Sequence, residues 1–294
     1  MFMYTDYNQH LLDNVKKIHF IGCGGSGMYP LIQILAAKGY EISGSDVLDG
    51  SIIRYEREMG VKVSLGHSAD NVIGTDMVVY SAAISKDNVE LNAAASYGIP
   101  TIERSVLLGY VSRLYKQSIC VSGTHGKTTT TSMCTHIFMA AEQDPTVMIG
   151  GTLPLLHSGY RVGHGDTIIL ESCEYCNSFL SFYPTVAVIL NVEADHLDFF
   201  KDLGDIQHSF RTFAELVPQE TGYVVANYDN ASAHTALNGL ERPLFWFSLH
   251  SPEADCRAEH ISWTDGLPAF DIVIHGEVYA HAELKVGGEH NICN

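Results

Sequence analysis

Ile119-Cys120-Val121-Ser122-Gly123-Thr124-His125-Gly126-Lys127-Thr128-Thr129-Thr130 reads as the end of a buried strand, a glycine turn and the first turn of a helix. Gly123 and Gly126 permit a tight turn in which backbone N–H groups converge, and Lys127 and Thr128 add an ammonium and a hydroxyl at the helix mouth. Such a cradle has its donors oriented in advance, and the helix dipole favours an anion. In nucleotide-triphosphate sites the lysine reaches the β/γ-phosphates and the threonine hydroxyl reaches Mg²⁺. The full pattern G-x-x-x-x-G-K-[ST] is not met, because Val121 stands where its first glycine belongs. What remains is a shorter G-x-x-G-K-T-T, and its context of strand and helix separates it from a chance Gly-Lys-Thr turn.

The 294 residues around this stretch suffice for about two domains. A net charge of −17 argues against nucleic acid or an anionic membrane surface as partner, since both require a basic footprint. No apolar run of about 18 residues is present, and residues 1–14 lack the basic-then-apolar plan of a signal peptide. Seven scattered cysteines fit a reducing, cytoplasmic setting.

Upstream, a strand over residues 15–21 runs into Gly22-Cys23-Gly24-Gly25-Ser26-Gly27, which satisfies G-x-G-x-x-G. A helix to residue 38, a strand over 41–45 and then Asp46 follow, placing an acid where a dinucleotide fold puts its ribose contact. Helices over 52–59, 88–97 and 105–114 alternate with strands over 61–64 and 76–80, which predicts a mostly parallel sheet. Two domains are expected, 1–115 and 116–294, divided at the polar link 115–117. Downstream, a helix is predicted over 127–141, a strand over 146–149 with a turn at Gly150-Gly151-Thr152, and apolar strands over 166–170 and 185–190. The last two run into Glu171-Ser172-Cys173-Glu174-Tyr175 and Asn191-Val192-Glu193-Ala194-Asp195-His196. Carboxylates just past strand ends beside a phosphate loop are the usual Mg²⁺ ligands. A helix over 204–217, a strand over 223–227 and a short helix over 230–237 continue the rhythm. It then changes to period two, with His275-Gly276 as a hairpin turn.

Together, Gly22–Gly27 with Asp46, Gly123–Thr129, Asn191–His196 and the final Gly288-Glu289-His290-Asn291-Ile292-Cys293-Asn294 resemble the Mur ligase family. The resemblance spans nearly the whole chain, with the motifs in the family's order. It implies an α/β fold: a Rossmann-like N-terminal domain, then a P-loop-type ATPase domain with a mostly parallel central sheet and an added antiparallel hairpin region. The family's C-terminal Rossmann-like domain is expected to follow Asn294, so the chain is expected to be a fragment, inactive alone. ATP and Mg²⁺ are the implied cofactors. UDP-N-acetylmuramate and L-alanine are the implied substrates, joined through an acyl phosphate; a murein-peptide-recycling activity on the same sugar nucleotide is the alternative within the family.

Carried over by position, the resemblance gives Lys127 to the phosphates, with Gly123, Thr124, His125, Gly126, Thr128 and Thr129 around them. It gives Thr128, Glu174 and His196 to metal, and His290, Asn291 and Asn294 to adenine. Gly22, Gly24, Gly25, Gly27, Asp46, His67, Ser81 and Ala82 are assigned to the UDP pocket. One departure stands out: where the family pattern reads E-A-D-E-S-D-x-S-F, Cys173 and Cys176 replace two acids. A Cys-x-x-Cys invites a zinc or redox reading, but no second pair completes a zinc site, and neutral replacement is the expectation. From other classes, a dinucleotide-dependent oxidoreductase leaves Gly123–Thr129 unexplained, and a non-catalytic nucleotide-binding module stays open.

Overall fold

The computed structural model describes residues 11–294, so the first ten residues, and with them most of the segment read for a leader, lie outside the described residues. The chain forms two compact units, one ending at Leu114 and taking in Tyr160–Val162, the other comprising Tyr115–Gly159 and Gly163–Asn294.

In the first unit the order is β1 (Lys17–Ile21), α1 (Tyr29–Ala37), β2 (Glu41–Asp46), α2 (Ser51–Glu58), β3 (Lys62–Leu65), β4 (Met77–Tyr80), α3 (Val89–Tyr97), β5 (Thr101–Glu103) and α4 (Arg104–Ser112). The strands form one parallel sheet in the order β3-β2-β1-β4-β5. Ile18, Phe20 and Ile21 in β1 have no exposed surface, as expected of a central parallel strand covered on both faces. Strand order reverses between β1 and β4, and the glycine loop leaves β1 at that switch point, the usual place for a ligand crevice. α3 shows how local sequence sets the boundaries: Asn88 Oδ1 accepts from the Glu90 and Leu91 N–H groups, and Gly98 ends the helix at φ 67°.

The second unit contains β6 (Gln117–Ser122), α5 (Lys127–Ala140), β7 (Thr146–Leu153), β8 (Ser158–Arg161), β9 (Thr167–Glu171), β10 (Val186–Ile189), α6 (Leu203–Glu215), β11 (Tyr223–Asn227), α7 (Ala231–Leu237), β12 (Leu244–Ser248), β13 (Cys256–Thr264), β14 (Leu267–Ile274), β15 (Glu277–Glu283) and α8 (His290–Cys293). Ten strands share a sheet in the order β15-β14-β13-β12-β11-β10-β6-β9-β7-β8. β6, β9, β10, β11 and β12 run parallel, and β13-β14-β15 is an antiparallel meander. Ile119, Val121, Val147, Ile169, Val188 and Leu190 form the core on this sheet.

One expectation is corrected. Gly150 and Gly151 do not make a turn, because β7 continues through them to Leu153. The glycine is needed for room: a Cβ on Gly150 would lie 2.7 Å from Oε1 of Glu171.

Candidate functional site

β6 lies between β9 and β10 in the sheet, so the segments leaving the carboxyl ends of these three strands meet at one edge. The first is the glycine loop. Gly123 (φ 143°) is close against the β10 exit: a Cβ there would fall 3.0 Å from Leu190 Cβ and 3.2 Å from the Asn191 nitrogen. Asn191 clamps the loop. Its carbonyl accepts from Thr124 N–H (3.1 Å), its side-chain oxygen from His125 N–H (2.7 Å), and its amide donates to the His125 carbonyl (3.0 Å). Thr124 Oγ1 accepts from Glu193 N–H, fixing the second segment to the first. Gly126, at φ 86°, is the N-cap of α5 and offers no side-chain cap, so the leading N–H groups of the helix have no intrahelical acceptor. Thr129 stands half-buried in that same first turn.

Lys127 Nζ donates to the Gly123 carbonyl (2.6 Å), the Thr124 carbonyl (3.2 Å) and Glu174 Oε2 (3.0 Å). Glu174 is 2% exposed, and His196 Nε2 lies 3.8 Å from its other oxygen. His196 is held by its backbone: φ is 52°, and its N–H donates to Asp195. The Tyr175 ring covers its imidazole at 4.7 Å, with the hydroxyl donating to Asp198. Lys127, Glu174 and His196 are thus brought together from three different strand ends. The C-terminal segment arrives as well. Asn294 donates to Asn291, Asn291 donates to the Gly287 carbonyl, and a Cβ on Gly126 would fall 2.5 Å from Asn294 Oδ1. His290 packs its ring over Gly288 instead.

Glu171, the last residue of β9, was not singled out by the sequence. Its Oε1 accepts from Thr128 Oγ1 (3.0 Å) and its Oε2 from Gly150 N–H (2.7 Å). The available signal was its place at the end of an apolar strand. Among the described residues no group of three or more His, Cys, Asp or Glu could by itself hold a metal. The donor set of Glu174, Thr128 and Glu171 nonetheless fits Mg²⁺, a hard ion that usually takes one or two carboxylates and completes its shell with phosphate and water. The Cys-x-x-Cys adds nothing to it: burial pushes the Cys173 thiol up, away from the thiolate form that binds metal.

In the first unit the glycine loop Gly22–Gly27, which comes first along the chain, is closed in a similar way. A Cβ on Gly22 (φ 78°) would meet Ile84 at 3.2 Å and Ser81 Oγ at 3.8 Å, which places the Ser81–Ile84 turn, exposed at Ala82, beside the loop. Gly25 N–H donates to the Gly22 carbonyl. Asp46 is engaged at both oxygens, by Gly24 N–H (2.9 Å) and Leu48 N–H (2.9 Å), so it shapes the loop. Gly27 faces the Arg104 guanidinium, 3.3 Å from where a Cβ would stand; this cation was also missed. His67 Nδ1 points inward, to Ser45 and Glu90.

Comparison with known proteins covers most of both units. Residues 17–116 match the Mur ligase family catalytic domain and residues 121–294 the Mur ligase middle domain. The chain is 43% identical over 284 residues to UDP-N-acetylmuramate–L-alanine ligase of Caldanaerobacter subterraneus subsp. tengcongensis, covering 96% of this chain and 61% of that protein. The enzyme of the same name from Acetivibrio thermocellus is 44% identical over 280 residues, with 95% and 60% covered. Among solved structures, the UDP-N-acetylmuramate:L-alanyl-gamma-D-glutamyl-meso-diaminopimelate ligase of Neisseria meningitides aligns with a TM-score of 0.81 at 27% identity, covering 95% of this chain and 90% of that one. UDP-N-acetylmuramate-alanine ligase from Thermotoga maritima aligns at 0.75 and 27%, covering 94% and 62%. The chain spans about three fifths of the length of the sequence relatives named here. With each glycine loop inside a matched family domain, this chain belongs to the Mur ligase family.

Proposed function

We propose that this chain binds UDP-N-acetylmuramate at the first glycine loop and ATP with Mg²⁺ at the second, and serves the ATP-dependent joining of L-alanine to that sugar nucleotide. The observation that supports it best is the meeting of Lys127, Glu174 and His196 at the ends of β6, β9 and β10. The choice of L-alanine follows the relatives at 43% and 44% identity.

ATP would supply the phosphoryl group that activates the sugar's carboxylate, and Mg²⁺ would neutralise charge on the phosphates. The chain's own task is electrostatic. A carboxylate and a triphosphate repel, and a dry site magnifies that repulsion. The Lys127 ammonium, once drawn from Glu174, and the open N-terminus of α5 would offset it. Thr128, Glu171 and Glu174 would hold the metal, with His196 beside Glu174. Asn191 keeps the loop from collapsing by occupying the Thr124 and His125 N–H groups.

The test is protection against thermal unfolding by each ligand separately, since binding to the folded state alone raises its stability. MgATP and UDP-N-acetylmuramate should each raise the Tm of the parent protein, and Lys127→Met should lose only the MgATP effect. An equal MgATP effect in Lys127→Met would refute the cradle. Protection by NADH in place of UDP-N-acetylmuramate would refute the sugar-nucleotide site.

A further inference from the structure

Glu90 lies in the first turn of α3 and is 0% exposed. Its Oε2 accepts from Ser45 Oγ (2.6 Å) and lies 3.0 Å from His67 Nδ1. Its Oε1 accepts from Asn71 Nδ2 (2.5 Å) and, weakly, from Ser68 N–H. His19, 1% exposed, stands 3.8 Å away on the other side and meets Ser43 through Nδ1. Burial pushes this carboxyl group up, but the hydrogen bonds outweigh it and hold it down at about 2. It is therefore an anion inside the fold, which packing alone does not call for; a buried charge is expensive unless every lone pair finds a donor.

An ionised carboxylate only accepts hydrogen bonds. His67 Nδ1, facing Glu90 Oε2, must then carry the hydrogen, and the tautomer is set from within the fold. The side chain of His67 is one fifth exposed and follows β3 at the carboxyl edge of the sheet, the edge that β1 leaves as the glycine loop. We propose that Glu90 is a positioning residue for the sugar-nucleotide site: it fixes His67 as the Nδ1–H form, so that Nε2 stands ready to accept a hydrogen bond from an N–H or O–H of the uridine moiety. This rests on the sugar-nucleotide reading given above.

The test combines a tautomer measurement with a double-mutant cycle. Long-range ¹H–¹⁵N correlation spectra of the parent, with His67 assigned by its loss in His67→Gln, should show a protonated Nδ1 and an unprotonated Nε2 at neutral imidazole; the opposite tautomer overturns the proposal without any variant at Glu90. Calorimetric titration with UDP-N-acetylmuramate should then show losses of about tenfold for Glu90→Gln and for His67→Gln, an interaction of ordinary hydrogen-bond size. The double variant should lose no more than the weaker-binding single variant, because the two act through one contact. Additive losses, or parent-like affinity in Glu90→Gln, overturn the positioning role while leaving the sugar-nucleotide site intact. Absence of binding by the folded parent overturns the site itself.

Discussion

Replacing Glu56 by glutamine should make the protein more stable at alkaline pH and remove a pH dependence that the parent carries. Glu56 and Ile53 are the two buried positions of α2, both 0% exposed, so a carboxyl group occupies the core face of a helix. Neither of its oxygens meets a hydrogen-bond partner. Burial pushes the group from 4.5 up to about 7; the Cys23 thiol opposes this in part, and the Asp46 carboxylate adds a lesser upward push. The sign follows from linkage. Below about pH 4.5 both folded and unfolded states are protonated; between 4.5 and 7 the unfolded chain releases a proton that the folded chain keeps. The stability that this group contributes therefore falls as pH rises through this window, and about 3 kcal/mol of it is gone once pH is above 7. The measurement is urea unfolding from pH 4.5 to 8.5, read by hydrogen–deuterium exchange in peptides of β1 and α2 so that the first unit is followed separately. Taking the difference between Glu56→Gln and the parent at each pH cancels the other titrating groups. That difference should grow by about 3 kcal/mol across the window. A difference that stays constant with pH would refute the reasoning.

Two further substitutions test the second unit. Phe179 is fully buried, stacked on Phe213 at 4.5 Å and edge-on to Phe210 at 5.3 Å. Phe179→Ala should lose about 3–5 kcal/mol in chemical denaturation, and a loss below about 1 kcal/mol would show that α6 does not depend on this cluster. Gly126→Ala must adopt φ 86° and place a methyl 2.5 Å from Asn294 Oδ1. It should lose about 1–3 kcal/mol together with the MgATP shift in Tm, and parent-like nucleotide protection would mean that the loop tolerates the displacement of Asn294.

Local chemistry was the legible part of the sequence. Asn88 and Gly98 bracket α3 because a side-chain acceptor and a left-handed glycine act over three or four residues, within reach of a reading along the chain. The two glycine loops and Lys127 were legible for the same reason. The contacts that were missed are long-range. Glu171 joins Thr128 to Gly150 only because β9 lies between β6 and β7, an order that periodicity does not encode. Gly150-Gly151 looked like a turn because glycine pairs commonly mark one; here the glycine serves the close approach of a carboxylate inside a strand, the other use of a strand glycine. Arg104 against Gly27 and Glu90 against His67 are further pairs whose members lie in separate β/α segments. The strands β5, β8 and β12 went unread; length alone does not explain this, since β3, β4 and β10 are equally short and were read.

On the proposed nucleotide reading, the charges around Lys127 would couple the binding of phosphate to that of a divalent cation. Lys127 spends its three donors on two carbonyls and on Glu174, whose own surroundings leave it 2% exposed. A phosphate that takes the ammonium from Glu174 leaves a buried carboxylate facing a second anion, and breaking a buried pair in this way costs about 3–5 kcal/mol. A divalent cation would offset that penalty, since Glu174 and a phosphate offer it the oxygen ligands that Mg²⁺ takes. Anion and cation binding would then be thermodynamically linked through a single salt bridge, each raising the affinity for the other by the same factor. Thr128 and Glu171 extend the linkage: the hydroxyl already donates its hydrogen to a carboxylate, which leaves its lone pairs for metal. On this view Lys127 and Glu174 are one electrostatic device: the buried pair that holds the loop to the end of β9 is the pair that a phosphate and its metal would separate.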